Sequence, residues 1–208
     1  MENIFVTSGG FNIVNNYVSD ENIELFKILS QNKKVLIIAN AAPEGTGNYI
    51  AREDVKNNFL NVGASQVDIV DLNKDNIDII LNYDVLYGLG GNITNLIELT
   101  QNTNFKDILI KFLEKGIYIG ESAGSMILSD NLKYIYDLKR GTKPKYDITL
   151  DSYEGLGLID EYIYPHFQKV KDEMKEKTTQ YELDNDITIT RLNDGDIIKY
   201  SYTKGKTI

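Results

Sequence analysis

Ser122 stands in Gly120-Glu121-Ser122-Ala123-Gly124, a G-x-S-x-G pattern, and His166 is the only histidine of the chain. A serine hydroxyl is a poor nucleophile at neutral pH until a base takes its proton. A serine–histidine enzyme made from this sequence must therefore use His166. The pattern has a mechanical meaning when a strand runs into it and a helix runs out. The sharp turn then strains the serine backbone and lifts Oγ clear of the sheet. Ile117-Tyr118-Ile119 reads as the incoming strand, and Ser125-Met126-Ile127-Leu128 can start the helix. The helix start places the Ala123 N–H beside the serine, where it could stabilise the oxyanion of an acyl-transfer intermediate. The competing reading is an ordinary βα turn with Ser122 as helix cap.

An imidazole acting as base needs a carboxylate to orient it. Asp130, Asp137, Asp147, Asp151 and Glu154 lie between the serine and the histidine, and Ser…Asp/Glu…His is a known chain order for such triads. Each of these acids could equally be a solvated surface carboxylate. Pro165-His166-Phe167 follows a short apolar strand, where a loop would leave the C-terminal edge of a sheet. Gly88-Leu89-Gly90-Gly91-Asn92 is a second glycine cluster that ends a strand and opens a helix. Gly90 or Gly91 could give a second oxyanion N–H. The rival reading, a phosphate cradle, lacks the Lys-Ser/Thr of a P-loop, and Ile93 breaks the G-x-G-x-x-G pattern.

These residues need a scaffold that brings strand ends together. Strands are expected at Ile4-Phe5-Val6, Val35-Leu36-Ile37-Ile38, residues 67–70, Val85-Leu86-Tyr87 and Ile117-Tyr118-Ile119. The second is a continuous apolar run, as in a strand covered on both faces. Helical spacing falls on residues 20–29, with Ser19 or Asp20 as cap, and on 49–60, 93–100 and 106–115, the last closed by Gly116. Alternating strands and helices predict parallel strands, right-handed crossovers and a three-layer α/β fold. Ligands in such folds sit at the C-terminal strand ends. Here those ends are Gly9-Gly10, residues 39–43, Gly88 to Asn92 and the serine turn.

After Leu128 the pattern weakens. Residues 134–148 are basic and aromatic and read as a loop or short helix. Residues 156–159 and 162–164 read as short strands, and 169–183 as a charged helix. Residues 187–190 and 197–200 flank Asn193-Asp194-Gly195, a hairpin signal.

Composition bounds the rest. The chain has 208 residues, with 42% hydrophobic and 25% charged, which predicts one globular domain over residues 1–208. The net charge of −9 disfavours nucleic-acid backbones and anionic membrane surfaces as partners. With no cysteine, disulfides, thiolate metal sites and cysteine nucleophiles are excluded, and one histidine excludes a multi-histidine metal site. No metal or other cofactor is expected. No apolar run approaches the ~20 residues of a membrane span. The N-terminus lacks a signal-peptide pattern, so a cytoplasmic location is expected.

The glycine loop Gly90-Gly91-Asn92, the serine turn, Gly155-Leu156-Gly157-Leu158-Ile159 and Pro165-His166-Phe167, in this order and spacing, resemble the dipeptidase E family of serine peptidases. These are the α-aspartyl dipeptidases, with cyanophycinase a more distant relative. Ala39-Asn40-Ala41-Ala42 also resembles a strand end of that family. The resemblance implies a flavodoxin-like fold, mostly parallel, related to class I glutamine amidotransferases. It implies Ser122 as nucleophile, His166 as base, Asp137 as the acid, and the N–H groups of Gly91 and Ala123 as oxyanion donors. Lys139, Arg140 and Lys143 could supply positive charge for an acidic substrate side chain, or form a solvated basic loop.

The expectation is a cytoplasmic serine peptidase of short peptides, with N-terminal aspartate dipeptides among the candidate substrates. Assembly as a homodimer is open. Two alternatives share the scaffold: a non-catalytic protein that cradles a small anion, and an amidase acting on a non-peptide amide.

Overall fold

The computed structural model describes residues 2–13, 18–42, 49–73, 75–138, 150, 152–203 and 206–207. Asp147, Asp151, Lys139, Arg140 and Lys143 lie outside the described residues, as does position 43 at the second strand end.

Strand β1 (Ile4–Thr7) is followed by α1 (Asp20–Ser30), β2 (Lys34–Ile38), α2 (Tyr49–Asn61) and β3 (Gln66–Val70). Then come β4 (Val85–Gly88), α3 (Ile93–Asn102), α4 (Phe105–Leu113), β5 (Ile117–Glu121), and the short helices α5 (Ala123–Met126) and α6 (Lys133–Asp137). The chain ends with β6 (Tyr162–Tyr164), α7 (Asp172–Asn185), β7 (Ile189–Arg191), β8 (Ile197–Tyr200), β9 (Tyr202–Thr203) and β10 (Lys206–Thr207).

The main sheet has the order β3-β2-β4-β5-β1-β8. Its first five members are parallel, and β8 runs antiparallel to β1. Period-two alternation divides each strand between two cores. Ile4, Val6, Leu36, Ile38, Leu86 and Tyr118 face α3, α4 and α6. Phe5, Val35, Ile37, Val85, Tyr87 and Ile119 face α1 and α2. Both faces are covered, which is why these strands read as unbroken apolar runs.

On the α1/α2 face the core is aromatic. The Phe11 ring stacks on Phe26 at 4.4 Å and meets Phe59 edge-on at 5.0 Å, and Phe59 meets Tyr87 at 5.3 Å. This cluster anchors the loop after β1 to the end of β4. The expected cap holds at α1, where Ser19 Oγ accepts the Asn22 N–H, and Asn92 caps α3, its Oδ1 accepting the Thr94 N–H. Gly116 acts differently from a left-handed cap. A Cβ there would lie 2.1 Å from the Phe112 ring, so close packing excludes a side chain.

Two expectations after β5 change. Residues 156–159 form no strand. Their N–H groups bond instead to carbonyls of Ile127, Leu128 and Ser129, so the segment packs along the chain that leaves α5. The strands flanking Asn193-Asp194-Gly195 do not pair with each other. β7 joins β6 in a small parallel sheet, whereas β8 joins β1 in the main sheet. The C-terminal hairpin is made one step later, by β9 and β10. Among the described residues no helix is long and apolar enough to cross a membrane.

Candidate active site

Ser122 adopts φ 47° and ψ −106°, immediately after β5 and before α5. This is a strained conformation for a residue with a Cβ, costing about 1–3 kcal/mol, and it persists only where the surroundings enforce it. The surroundings do so through close backbone approach. A Cβ on Gly120 would lie 2.6 Å from the Gly124 carbonyl oxygen, and one on Gly124 would lie 2.0 Å from that of Gly88. The two glycines of the motif are therefore required by packing against β4 and by the turn itself. Tyr118 Oη donates to the Gly124 carbonyl at 2.8 Å. Ser125 Oγ accepts the Thr7 N–H at 3.0 Å, and Thr7 Oγ1 donates to the Gly120 carbonyl at 2.7 Å. Buried polar groups thus lock the turn to the end of β1. Ser122 makes no side-chain capping bond to α5, which sets aside its reading as a helix cap.

The glycine loop after β4 lies against this turn. A Cβ on Gly90 would fall 3.2 Å from Ser122 Cβ. Gly91 has φ +144°, and a Cβ there would meet the Ala41 carbonyl oxygen at 2.2 Å. That same carbonyl accepts the Asn92 N–H at 2.7 Å. Gly90 also faces the Glu121 carboxyl, whose Oε1 would be 2.8 Å from a Cβ at Gly90.

His166 follows β6 in the left-handed region, with φ 56° and ψ 32°. Its backbone N–H donates to Ser8 Oγ at 2.7 Å. The N–H of Ser122 donates to the carbonyl of Thr7 at 3.0 Å. Histidine and serine are thus tied to adjacent residues at the C-terminal end of β1.

The carboxylate that faces the imidazole belongs to Asp194. Its Oδ1 lies 2.5 Å from His166 Nδ1. Ser8 Oγ donates to the same oxygen at 3.0 Å, and Lys169 Nζ lies 2.7 Å from Oδ2. The Asp194 side chain is 8% exposed. Burial pushes its pKa up, but the bonds from Lys169, His166 and Ser8 outweigh burial and hold the carboxyl below its ordinary value. An ionised Asp194 keeps the proton on Nδ1 and leaves the Nε2 lone pair as the basic one.

Asp137 is placed elsewhere. It ends α6 on the surface, where Lys133 Nζ lies 2.7 Å and Tyr181 Oη 2.9 Å from its Oδ2. The Lys133 bond, with help from Tyr181 and against some burial, lowers its pKa. Its Oδ2 is thus engaged by Lys133 of α6 and Tyr181 of α7. Glu154 is exposed and pairs through its backbone with Asn131, and Asp130 is exposed beside Tyr162. The Asn193-Asp194-Gly195 turn is a clear signal in the sequence, but Asp194 follows the histidine, whereas the order Ser…Asp/Glu…His points to an acid that precedes it. Among the described residues no cluster of His, Asp or Glu is arranged to hold a metal ion.

A sheet of this topology, with a strained serine at the end of a central strand and an imidazole–carboxylate pair tied to the neighbouring one, has the build of a hydrolase. The comparisons narrow the class. The sequence pattern of Peptidase family S51 matches residues 4–208, so the chain belongs to that family, the dipeptidase E family, and is a peptidase. An uncharacterized peptidase of Pasteurella multocida is 28% identical over 190 residues, covering 81% of this chain and 86% of its relative. One of Listeria innocua is 28% identical over 173 residues, covering 82% and 78%. A Listeria monocytogenes crystal structure described as a peptidase E superposes with TM-score 0.75 at 24% identity, over 100% of this chain and 97% of the other. A peptidase from an acI-B1 Actinobacterium gives TM-score 0.65 at 17% identity with the same coverage. These structural likenesses establish the shared fold.

Proposed function

We propose that this peptidase is a serine enzyme acting on short peptides through an acyl-enzyme. Ser122 Oγ attacks the scissile carbonyl carbon while His166 Nε2 takes the hydroxyl proton. The C–N bond then breaks, and His166 returns that proton to the leaving amine. A water molecule repeats the sequence in the deacylation half, with His166 again as base. Asp194 holds the imidazole in the required tautomer and stabilises the imidazolium. The N–H groups of Gly91 and Ala123 take the developing oxyanion. The N–H groups of Leu89 and Asn92 already bond to the carbonyls of Ile38 and Ala41, which favours Gly91 as the donor in its loop.

One observation carries this reading: the imidazole that bonds Asp194 at 2.5 Å is fixed to Ser8, next to the residue that fixes the serine turn. Dipeptides with N-terminal aspartate are the first substrates to test, since the dipeptidase E resemblance points to them. Ser122→Ala is expected to keep the fold and to lower turnover by several orders of magnitude, roughly 10⁴-fold or more. Labelling by a fluorophosphonate should mark Ser122 in the wild-type chain and vanish in the variant. A folded Ser122→Ala chain with full peptidase activity would refute the assignment.

A further inference from the structure

Between the serine turn and the glycine loop lies a carboxyl group that this chemistry does not use. Glu121 ends β5 and directly precedes Ser122. The residue is partly exposed, but its carboxyl is enclosed. Tyr87 Oη donates to Glu121 Oε2 at 2.6 Å. The same Oη accepts the Phe11 N–H at 2.8 Å, so its single proton is committed to Glu121. The Gly90 N–H also bonds the carboxyl and favours its charged form.

The backbone is shaped around this group. A Cβ on Gly10 would lie 2.5 Å from Glu121 Cγ, and one on Gly90 would lie 2.8 Å from Oε1. Three segments therefore converge on one carboxyl: the loop after β1, the loop after β4 and the serine turn. Gly90 immediately precedes Gly91, and the far side of that glycine is pinned by the Asn92 N–H on Ala41.

We propose that ionised Glu121 is a positioning residue, which grips the Gly90 amide and so aims the Gly91 N–H at the oxygen of the carbonyl attacked by Ser122. The proposal rests on the serine-peptidase reading. Protonating the carboxyl puts an O–H among groups that are themselves donors, which loosens the loop. Burial pushes Glu121 up to about 7, against the lowering effect of Tyr87 and Gly90. Among the described residues, Tyr87, from β4, is the titratable group that faces it. Burial and Glu121 raise the Tyr87 phenol well above its ordinary range, so it stays neutral. The loop after β1 brings Gly10 and Phe11, and the loop after β4 brings Gly90, none of which titrates. Function then requires two groups to lose protons, Glu121 and His166, and both are protonated as pH falls.

The test is the second-order rate of fluorophosphonate labelling of the full chain, followed from roughly pH 5 to 9. The wild-type acid limb should be steeper than a slope of about one, since protonation of His166 and of Glu121 each lowers reactivity. Glu121→Gln should be labelled at least about tenfold more slowly, because a displaced oxyanion donor weakens transition-state binding, and its limb should have a slope of about one. Glu121→Gln at the wild-type rate with an unchanged slope overturns the proposal. Tyr87→Phe provides a second arm should the glutamine variant not fold. It removes a bond that lowers the Glu121 pKa, so the limb should move to higher pH, and an unmoved limb overturns the proposal. Failure of the serine-peptidase reading shows separately, as labelling that persists in Ser122→Ala.

Discussion

His166 Nδ1 and Asp194 Oδ1 lie 2.5 Å apart although the residues are 28 positions apart in sequence, and the aspartate comes second. In the proposed triad the serine, histidine and acid thus follow each other along the chain in the order Ser122, His166, Asp194. The chain reaches this geometry because the Asn193-Asp194-Gly195 turn connects two different sheets. β7 pairs with β6, the strand that leads into His166, and β8 pairs with β1, whose end holds the serine turn.

If Asp194 orients the imidazole, Asp194→Asn should lower kcat by about 10²–10⁴-fold, since an amide favours the wrong tautomer. Asp137→Asn should stay within about twofold of wild type, as its loss breaks only an exposed pair and a tyrosine bond. Steady-state kinetics on the two purified variants decide between the acids. The reverse ranking would return the role to Asp137.

Lys169 should leave a pH-dependent mark on stability. The folded pKa of Asp194 is lowered, so its ionisation stabilises the fold above the unfolded carboxyl pKa near ~3.9. That contribution is lost as pH falls through the folded value. Lys169→Met removes the leading cause of the lowering. The variant should melt lower at neutral pH by about 2–4 °C, given roughly 1 kcal/mol at most for a half-exposed pair in a chain of this size. The gap should close only once pH has fallen below the lowered folded pKa of Asp194, where the carboxylate is protonated in both chains. Calorimetric melts across pH test this, and a gap that widens toward acid pH contradicts it.

Ser8 joins the pair to the sheet. Its Oγ accepts the His166 N–H at 2.7 Å and donates to Asp194 Oδ1 at 3.0 Å. Ser8→Ala leaves a partly buried N–H without that acceptor, at a cost of about 1–3 kcal/mol. Urea denaturation should show this loss with an unchanged m-value, and kcat should fall as the left-handed His166 backbone loosens. A variant of unaltered midpoint and kcat would mean that the hydroxyl is a bystander.

The sequence by itself determined the five parallel strands, their covering helices and the serine turn. Unbroken apolar runs, helical spacing and a strand–glycine–helix junction are local signals, because burial on both faces and close backbone approach constrain neighbouring residues directly. It also singled out His166, since no other imidazole exists in the chain. The identity of the facing carboxylate was decided by tertiary structure. Asp137 and Asp194 are equally ordinary acids in sequence, and only the pairing of β7 with β6 and of β8 with β1 carries one of them to the imidazole. The same holds for residues 156–159, whose apolar alternation fits a strand but whose N–H groups find carbonyls beyond α5. Hydrogen-bond partners far apart along the chain are chosen by which sheet edge lies open, and that choice has no local signature.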